Sequence, residues 1–408
     1  MGAQHIHLLF RCRTYLPGDY LLVGIIGAPN KGKSTLFSAL TLNMVEIADY
    51  PFTTIKPNSG VAYARKECPE VELGTKCNPR NAPCDNGTRM LPVNVIDVAG
   101  LVRDAHSGKG MGNQFLNDLA AADAFIIVVD GSGMTDPNGN PGEGNPVDDV
   151  DMVINELTMW LTDIIGRHMP ALSKAKDGVE ALKGVLTGLK VSGEQIADAI
   201  GRSHLTSSNI GWSAADIEKF ASELFHIAKP FIIASNKTDA AKDKAKTGAL
   251  EAKFGADRIV RTSAEMELAL RKASKAGLAS YVPGARDFSI SESASGEQRK
   301  ALEYMHSYVS HGGTGVQELI DKVVFGLLDN VVAYPVEDEN KYSDHFGNVL
   351  PDAYLMKKGS TALDLAGRIH TDIAKSMLYA IDAKRKMRLA KDYELKGNDV
   401  IKIVSAAR

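Results

Sequence analysis

A glycine-rich stretch near the start of the chain has the composition of a phosphate-binding loop. It begins at Gly27 and ends in Gly-Lys-Ser-Thr at residues 32–35, which fits the pattern of a glycine, four residues and then Gly-Lys-Ser/Thr. Glycine lets backbone N–H groups approach a polyphosphate closely, and the start of the following helix adds donors and a favourable dipole. The Lys33 ammonium can reach the β- and γ-phosphates, and the Ser34 hydroxyl can bind Mg²⁺. The pattern therefore predicts a nucleoside triphosphate site formed by Asn30, Lys31, Gly32, Lys33, Ser34 and Thr35.

A second motif, much further along the chain, indicates which base this site takes. The string Asn-Lys-Thr-Asp at residues 236–239 follows a short apolar run at residues 231–235. The carboxylate of Asp239 can accept hydrogen bonds from the N1–H and the exocyclic amine of guanine, and adenine offers neither donor in that geometry. A further apolar run ends in Ser-Ala, where backbone N–H groups would meet the guanine O6. GTP is therefore favoured over ATP, and the predicted base-binding residues are Asn236, Lys237, Asp239, Ser263 and Ala264.

Two segments between these motifs have the pattern of nucleotide-sensing switches. An alternating run at residues 91–96 leads into Asp97, with Gly100 three positions later. Asp97 would hold Mg²⁺ through a water, and the N–H of Gly100 would sense the γ-phosphate. Between residues 50 and 57, a threonine hydroxyl can ligate Mg²⁺ only while the γ-phosphate is present, which predicts an order–disorder switch. Spacing alone leaves both Thr53 and Thr54 as candidates.

The residue after Gly100 affects how hydrolysis could occur. In Ras a water-orienting glutamine stands at this point, but this chain has Leu101, which cannot hydrogen-bond an attacking water. His106 can approach the γ-phosphate, or it is only a solvated loop residue. Asn30 can ligate K⁺, which would stabilise the developing charge, or it only braces the loop. We expect slow turnover, with Lys33, Gly100 and His106 as the catalytic residues.

Taken together, three strings resemble the Obg-like GTPases, specifically the YchF group. They are Gly-x-Pro-Asn-x-Gly-Lys-Ser-Thr at 27–35, Ala-Asp-Tyr-Pro-Phe-Thr-Thr-Ile-x-Pro at 48–57 and Asp-x-Ala-Gly-Leu-Val at 97–102. The resemblance covers about residues 21–406 and implies that Thr54 joins Ser34 and Asp97 around Mg²⁺. With its intact Asn-Lys-x-Asp string, the chain resembles the branch of this group that is found in archaea and fungi. The eukaryotic Obg-like ATPase differs from it by an altered base-reading motif.

The last eighty residues have the pattern of a separate small module. Strand signals at 330–336, 348–356 and 393–404 surround a helix signal, for which Thr361 is a plausible N-cap with Asp364 as its partner. This order resembles the TGS domain, a β-grasp module that the resemblance links to RNA or ribosome binding. A basic cluster before the last strand can contact phosphates, or it is a solvated face. The cluster consists of Lys384, Arg385, Lys386, Arg388 and Lys391.

The overall composition agrees with an α/β protein of several domains. The chain has 408 residues and a formal net charge of −3, which gives no global nucleic-acid signature. No apolar stretch approaches the length of a membrane span, so we expect a cytoplasmic protein without a membrane partner. We predict an extension at 1–20, a P-loop GTPase domain at 21–146 and 227–328, a helical insertion at 147–226 and a TGS-like domain at 329–408. Closing helices end the second GTPase segment.

Three of the four cysteines lie close together in a proline-rich segment. Cys68, Cys77 and Cys84 are either reduced thiols that pack a surface loop or zinc ligands together with a fourth group. No Cys-x-x-Cys unit occurs, and no further cysteine lies near Glu70, so the sequence favours reduced thiols. A disulfide is a third, less favoured alternative.

Overall fold

The structure is a computed structural model that describes residues 21–42, 58–98, 100–103, 120–208, 210–241 and 245–406. The predicted switch threonine Thr54 and the candidate catalytic residue His106 lie outside the described residues, as does the extension at 1–20.

The described strands are β1 (Leu22–Ile26), β2 (Ser59–Glu67), β3 (Cys84–Asp85), β4 (Thr88–Asp97), β5 (Ala124–Asp130), β6 (Phe231–Asn236), β7 (Ile259–Arg261), β8 (Ala279–Ser280), β9 (Ser289–Ile290), β10 (Val331–Val336), β11 (Tyr354–Met356), β12 (Met377–Asp382), β13 (Met387–Leu389) and β14 (Asp399–Ser405). The described α-helices are α1 (Lys33–Thr41), α2 (Pro69–Leu73), α3 (Pro146–Leu172), α4 (Gly178–Val185), α5 (Gly193–Arg202), α6 (Ala214–Ala228), α7 (Ala245–Phe254), α8 (Ala264–Lys275), α9 (Gly296–Val309), α10 (Val316–Asp321), α11 (Ala362–Ile369) and α12 (Thr371–Ser376).

The larger sheet carries the predicted nucleotide motifs on its strand ends. Its strand order is β2-β4-β1-β5-β6-β7, with β3 paired to β4. Strands β4, β1, β5, β6 and β7 run parallel, whereas β2 and β3 are antiparallel to β4. Every residue of β5 and β6 is buried, because helices cover both faces of a parallel sheet. The loops that follow β1, β4, β6 and β7 therefore meet at one edge.

A group of helices, α3 to α6, interrupts the order of strands between β5 and β6. Helix α3 begins after Asn145, whose side chain accepts a hydrogen bond from the N–H of Val147. Its stripe of Leu157 and Leu161 is buried, with Trp160 and Ile164 packed against the same core. The prediction that this stripe forms a helix–helix core is confirmed.

The opposite face of the larger sheet is covered by helices from both ends of the GTPase sequence. Leu36 of α1 lies in one apolar core with residues of α10, among them Leu319 and Ile320. A π-helical turn, Lys322–Leu327, continues α10 and adds Val323 to this core. The sequence predicts closing helices at 297–308 and 316–328. The second of these, α10 with its π-helical turn, lies in this core, whereas α9 packs in a separate apolar cluster with Tyr281 and Phe288.

The C-terminal residues form a second sheet with strand order β11-β10-β14-β12-β13. Strands β10 and β14 are parallel and the other pairs are antiparallel. Thr361 and Asp364 form the predicted capping box at the start of α11. The sequence predicts a last strand that begins near residue 393, but β14 begins at Asp399 and is therefore shorter. The N–H of Leu395 instead donates to the Ser360 carbonyl before that strand.

The cysteine-containing segment packs under this second sheet and is not a surface loop. Cys68 is fully buried and Cys77 is 8 % exposed. Both lie in an apolar cluster with Tyr334, Leu350 and other residues of the C-terminal part. The expectation of a surface loop is thus wrong, because the antiparallel pairing of β2, β3 and β4 places this segment against β10. Among the described residues, no helix combines the length and apolar character that crossing a membrane requires.

Candidate nucleotide site

The loop between β1 and α1 has a backbone that only glycine can adopt at two positions. Gly27 has φ +147°, and a Cβ there would lie 2.4 Å from the carbonyl oxygen of Val128. Gly32 has φ +95°, and a Cβ there would lie 2.3 Å from Nδ2 of Asn236. The absence of side chains therefore lets the loop fit between β5 and the base-reading segment and start α1 with its N–H groups exposed to a ligand.

Lys33 lies across this loop with its ammonium donating to the carbonyl of Ala28 at 2.7 Å. Burial lowers the pKa of Lys33 to about 8, although the Asp97 carboxylate works against that shift. Gly100 is adjacent, since a Cβ on it would lie 3.4 Å from Nζ of Lys33. The structure thus brings together two of the three predicted catalytic residues.

Ser34 and Asp97, both predicted magnesium residues, also lie together. The Ser34 hydroxyl donates to Oδ2 of Asp97 at 2.6 Å. The other oxygen, Oδ1, is buried and has no hydrogen-bond partner among the described residues. A buried carboxylate oxygen without a donor costs free energy, and oxygen ligands of this kind suit Mg²⁺. The residues present therefore fit the ion that the sequence predicts.

Asn236 connects the base-reading segment to the phosphate loop. Its Nδ2 donates to the Lys31 carbonyl at 3.1 Å, and its Oδ1 accepts from the N–H of Ala264 at 3.0 Å. Lys237, with φ +61°, donates its ammonium to the Asn30 carbonyl at 2.8 Å. Phosphate and base residues that are about two hundred positions apart are therefore held at a fixed separation.

Asp239 is half-buried and is oriented by Ser263. The Ser263 hydroxyl donates to Oδ1 of Asp239 at 2.6 Å. The sequence predicts that the N–H groups of Ser263 and Ala264 meet the guanine O6. In the structure both already donate within the protein, to the Thr314 carbonyl at 2.9 Å and to Asn236. These residues position Asn236 and Asp239 in the structure, and their contact with the guanine O6 stays a prediction.

The Lys31 side chain points away from the phosphate loop. It is fully buried and forms an ion pair with Asp149 of α3 at 2.9 Å. The same ammonium donates to the Thr135 carbonyl at 2.9 Å. Lys31 therefore contributes only backbone atoms to the phosphate loop, and its charge links that loop to the helical insertion. The sequence gives no local signal for this ion pair, because Lys31 and Asp149 lie in segments that are far apart in the chain.

The segment between β5 and α3 covers the phosphate loop, which the sequence did not indicate. The Asn30 side chain donates through Nδ2 to the carbonyl of Gly139 at 2.8 Å. The buried Asp130 lies 3.3 Å from the Lys237 ammonium. The available signal was the turn composition Asp-Pro-Asn-Gly at 136–139, which predicts a turn but not its location.

Leu101, which replaces the water-orienting glutamine of Ras, faces the core. It is 1 % exposed and packs among residues of the larger apolar cluster. Its N–H donates to the Gly27 carbonyl at 3.1 Å. The Leu101 side chain therefore neither points to the phosphate region nor offers a polar atom there.

The C-terminal basic cluster lies at the hairpin between β12 and β13. Lys384 pairs with Glu72, and Lys386 donates to the Glu339 carbonyl. The Arg388 guanidinium lies 3.8 Å from the centre of the Tyr379 ring. Part of this cluster is thus engaged within the protein, which leaves fewer charges for an external phosphate.

Three families match successive parts of this chain. Residues 22–181 match the family described as 50S ribosome-binding GTPase. Residues 234–338 match the Obg-like GTPase YGR210-like, G4 motif-containing domain. Residues 346–405 match the TGS domain. The predicted α/β GTPase fold with a C-terminal TGS domain is confirmed.

Individual relatives agree with these matches. The chain is 51 % identical over 395 residues, 95 % of its length, to the whole of an uncharacterised GTP-binding protein of Methanocaldococcus jannaschii. It is 32 % identical to an uncharacterised GTP-binding protein of Schizosaccharomyces pombe, over 85 % of this chain and 89 % of that one. Obg-like ATPase 1 of Homo sapiens is 26 % identical, over 89 % of this chain and 82 % of that protein.

Solved structures give the same result. A GTP-binding protein from Pyrococcus horikoshii superposes with a TM-score of 0.77 and 38 % identity, over 95 % of this chain and all of that one. The YchF GTPase of Schizosaccharomyces pombe shares the fold, with a TM-score of 0.57 and 19 % identity over 97 % of this chain and all of that one. The chain belongs to the Obg-like GTPases of the YchF type, and it is a GTP-binding protein, as the motifs predicted.

Proposed function

We propose that this protein is a molecular switch that hydrolyses GTP slowly and associates with the ribosome in a nucleotide-dependent way. The observation that carries the proposal is the bridge made by Asn236 between the phosphate loop and Ala264. Through this bridge one nucleotide can contact the phosphate residues and the guanine-selective Asp239 at the same time. The same bound GTP would then be recognised at its guanine base and sensed at its γ-phosphate.

The residues around the triphosphate have separable tasks. The Lys33 ammonium exchanges the Ala28 carbonyl for phosphate oxygens, which are stronger, charged acceptors. Mg²⁺ held at Ser34 and Asp97, with Thr54 as its switch ligand, would neutralise charge on the phosphates. The N–H of Gly100 reports the γ-phosphate. Gly100 is close to Lys33, so loss of that phosphate would change the contacts of both the phosphate loop and the segment that contains Gly100.

Slow hydrolysis follows from the residue types in the segment after Gly100. The Leu101 side chain is buried in the core, so it cannot orient a water for attack. His106 remains the proposed polar group in the same segment, and its location lies outside the described residues. Without an activating partner we expect a long-lived GTP state, as a switch requires.

Ribosome association is inferred from the matched families. One is described as a ribosome-binding GTPase and another is the TGS domain. Co-sedimentation of the full chain with ribosomes, with GTP, with a non-hydrolysable GTP analogue and with GDP, tests this inference. We expect retention with the triphosphates and release with GDP. Lys33→Ala is the matched control and should behave as the GDP state throughout. Equal retention in every state would contradict the switch.

Two other functions make different predictions. The first is ATP hydrolysis, as the name of the 26 % identical Obg-like ATPase 1 suggests; Asp239 and Ser263 argue against it, and competition between ATP and GTP for the purified protein separates the two. The second is nucleotide-gated binding without useful turnover, which the buried Leu101 favours. Single-turnover hydrolysis with and without ribosomes decides that question, because a gated binder would show no acceleration.

A further inference from the structure

Four side chains with metal-binding atoms converge beside the C-terminal sheet, far from the nucleotide residues. The thiols of Cys68, Cys77 and Cys84 and a carboxylate oxygen of Glu70 all lie within 4.8 Å of one another. In a tetrahedral zinc site with Zn–S bonds of about 2.3 Å, ligand atoms lie roughly 3.8 Å apart. Only a small contraction would therefore bring all four side chains onto one ion.

Secondary structure positions these side chains. Cys68 is the N-cap residue of α2, and Glu70 lies in the first turn of that helix. Cys84 is in β3, directly opposite Arg89 of β4. Cys77 lies on the loop between them, and its N–H donates to Oε2 of Glu70 at 2.7 Å. This hydrogen bond orients the carboxylate toward the thiols, as outer contacts commonly do for metal ligands.

The cluster is buried, although one of its members carries a charge. Glu70 is 6 % exposed, and its Oε1 lies 3.6 Å from the Cys84 thiol and 3.5 Å from the largely exposed Lys76 ammonium. The carboxylate loses hydration on burial, and the Cys77 N–H and the solvated Lys76 ammonium replace that hydration only in part. A cation at the centre of the cluster would replace it fully.

Arg89 provides a second, independent observation. Its side chain is fully buried and donates to the carbonyls of Ala82 at 3.0 Å and Leu350 at 2.7 Å. Its Nε has no hydrogen-bond partner among the described residues. The two carbonyls carry no net charge, so the guanidinium lacks compensation from them. A divalent ion bound by three thiolates and a carboxylate is a net anion, and it would compensate the Arg89 charge, because Cys84 lies directly opposite Arg89 in the sheet.

We propose that Cys68, Glu70, Cys77 and Cys84 bind a structural Zn²⁺ ion. Thiolate ligands select zinc over magnesium or calcium, and four protein ligands close the site to substrate, as in structural rather than catalytic zinc sites. Glu70 supplies the fourth ligand that the sequence lacked as a cysteine.

The ion would fix the contact between the two sheets. From the same loop, the N–H groups of Asn78 and Arg80 donate to the carbonyls of Val349 and Pro351 at 2.8 and 2.7 Å. Zinc would hold this loop in the shape that the C-terminal domain contacts. The nucleotide residue Asp97 is at the other end of β4, which at about 3.3 Å per residue is roughly 30 Å away.

Metal content of the full chain is the first test. Protein purified under reducing conditions without chelator should contain stoichiometric zinc by mass spectrometry of the metals. After removal of zinc with a chelator, titration with Co²⁺ should give thiolate-to-cobalt charge-transfer bands and the visible bands of tetrahedral cobalt. Guanine nucleotide binding, measured in parallel, shows that each preparation is folded, because that site is remote.

Variants assign the ligands. Cys77→Ser should weaken cobalt and zinc binding by more than about 100-fold, and Glu70→Ala by more than about tenfold. Glu70→Cys should retain the ion with an additional thiolate band. Cys12→Ser is the matched control and should change nothing. The proposal would be overturned by wild-type protein that binds nucleotide and has reduced thiols, yet contains no zinc and gives no cobalt bands. A disulfide among these cysteines, found in protein whose thiols were alkylated on isolation, would also overturn it. Unchanged metal binding in Glu70→Ala would show that Glu70 is not a ligand.

Discussion

At the scale of single residues, the Lys33 ammonium makes binding of a triphosphate depend on pH. Burial lowers its pKa to about 8 in the free protein, and a bound polyphosphate raises that pKa again because it favours the charged form. Below pH 7 the amine is charged in both states. Above pH 8 binding must take up a proton, so the affinity for GTP should fall by up to about tenfold per pH unit.

Calorimetry in buffers of different ionisation enthalpy measures this proton uptake. Lys33→Ala should bind GTP much more weakly and show no such uptake. An affinity that does not change between pH 7 and pH 9 would contradict the assignment of Lys33.

Asp239 sets the base preference in the same direct way. Replacement by asparagine should weaken GTP and improve xanthosine triphosphate, because xanthine carries a carbonyl where guanine has its amine and the new amide can donate to it. Competition with labelled nucleotides measures the exchange of preference. Ser263→Ala removes the 2.6 Å hydrogen bond to Asp239 and the N-cap bond that the Ser263 hydroxyl accepts from the N–H of Met266; it should weaken GTP without improving the xanthine nucleotide. If Asp239→Asn still prefers guanine, the base-reading segment is assigned wrongly.

Asn30 is the residue on which a potassium requirement depends. Its amide nitrogen donates to the Gly139 carbonyl, as the bracing interpretation requires, and its amide oxygen would be the K⁺ ligand. Leu101 leaves the reaction without a water-positioning amide, and a cation beside Asn30 would stabilise the charge that develops on the β–γ bridge oxygen. Hydrolysis should be faster in potassium than in sodium at equal ionic strength, and Asn30→Ala should abolish the difference. Equal rates in both salts would leave an external activator as the missing element.

At the scale of elements, the ion pair between Lys31 and Asp149 joins the phosphate loop to α3. Both side chains are buried, at 0 % and 4 % exposure. Removing one partner leaves the other charge uncompensated, so Asp149→Ala should lower the free energy of unfolding by about 3–5 kcal/mol. Denaturant unfolding monitored by circular dichroism measures this loss.

An exposed ion pair serves as the matched control for Asp149. Arg202 and Asp198 are 56 % and 47 % exposed on α5. Asp198→Ala should therefore cost only about 0.5 kcal/mol. Similar losses for the two variants would show that the buried pair does not stabilise the joint between loop and insertion.

At the scale of the whole molecule, the two sheets divide the work. A chain that ends at Asp329 retains every described nucleotide residue and should keep its affinity for GTP, but it should lose binding to ribosomes. It also exposes Leu91 and the cysteines that pack on Tyr334, so its thermal stability should fall and its tendency to aggregate should rise.

Affinity for GTP, thermal unfolding and co-sedimentation measure the three effects separately. The full chain with Arg388→Ala is the control that distinguishes the basic hairpin from the rest of the domain. If the shortened chain co-sediments as well as the full one, the helical insertion becomes the better candidate for the ribosome-binding surface.

The sequence by itself determined the chemistry of the site. A triphosphate requires a glycine loop, a lysine and a hydroxyl at fixed local spacing, and guanine requires a carboxylate such as Asp239; these are short-range patterns. The capping box at Thr361 and the apolar stripe of α3 are local in the same sense. Such features depend on neighbours within a turn or two, so their residue types suffice to predict them.

Tertiary structure alone decided which groups remain available to a ligand. The direction of the Lys31 side chain, the engagement of the Ser263 and Ala264 N–H groups, and the meeting of Glu70 with three cysteines depend on segments far apart in the chain. The pairing of β2, β3 and β4 and the packing of the second sheet on them determine these contacts. Strand register and packing follow from the summed burial of many side chains, which no single motif contains.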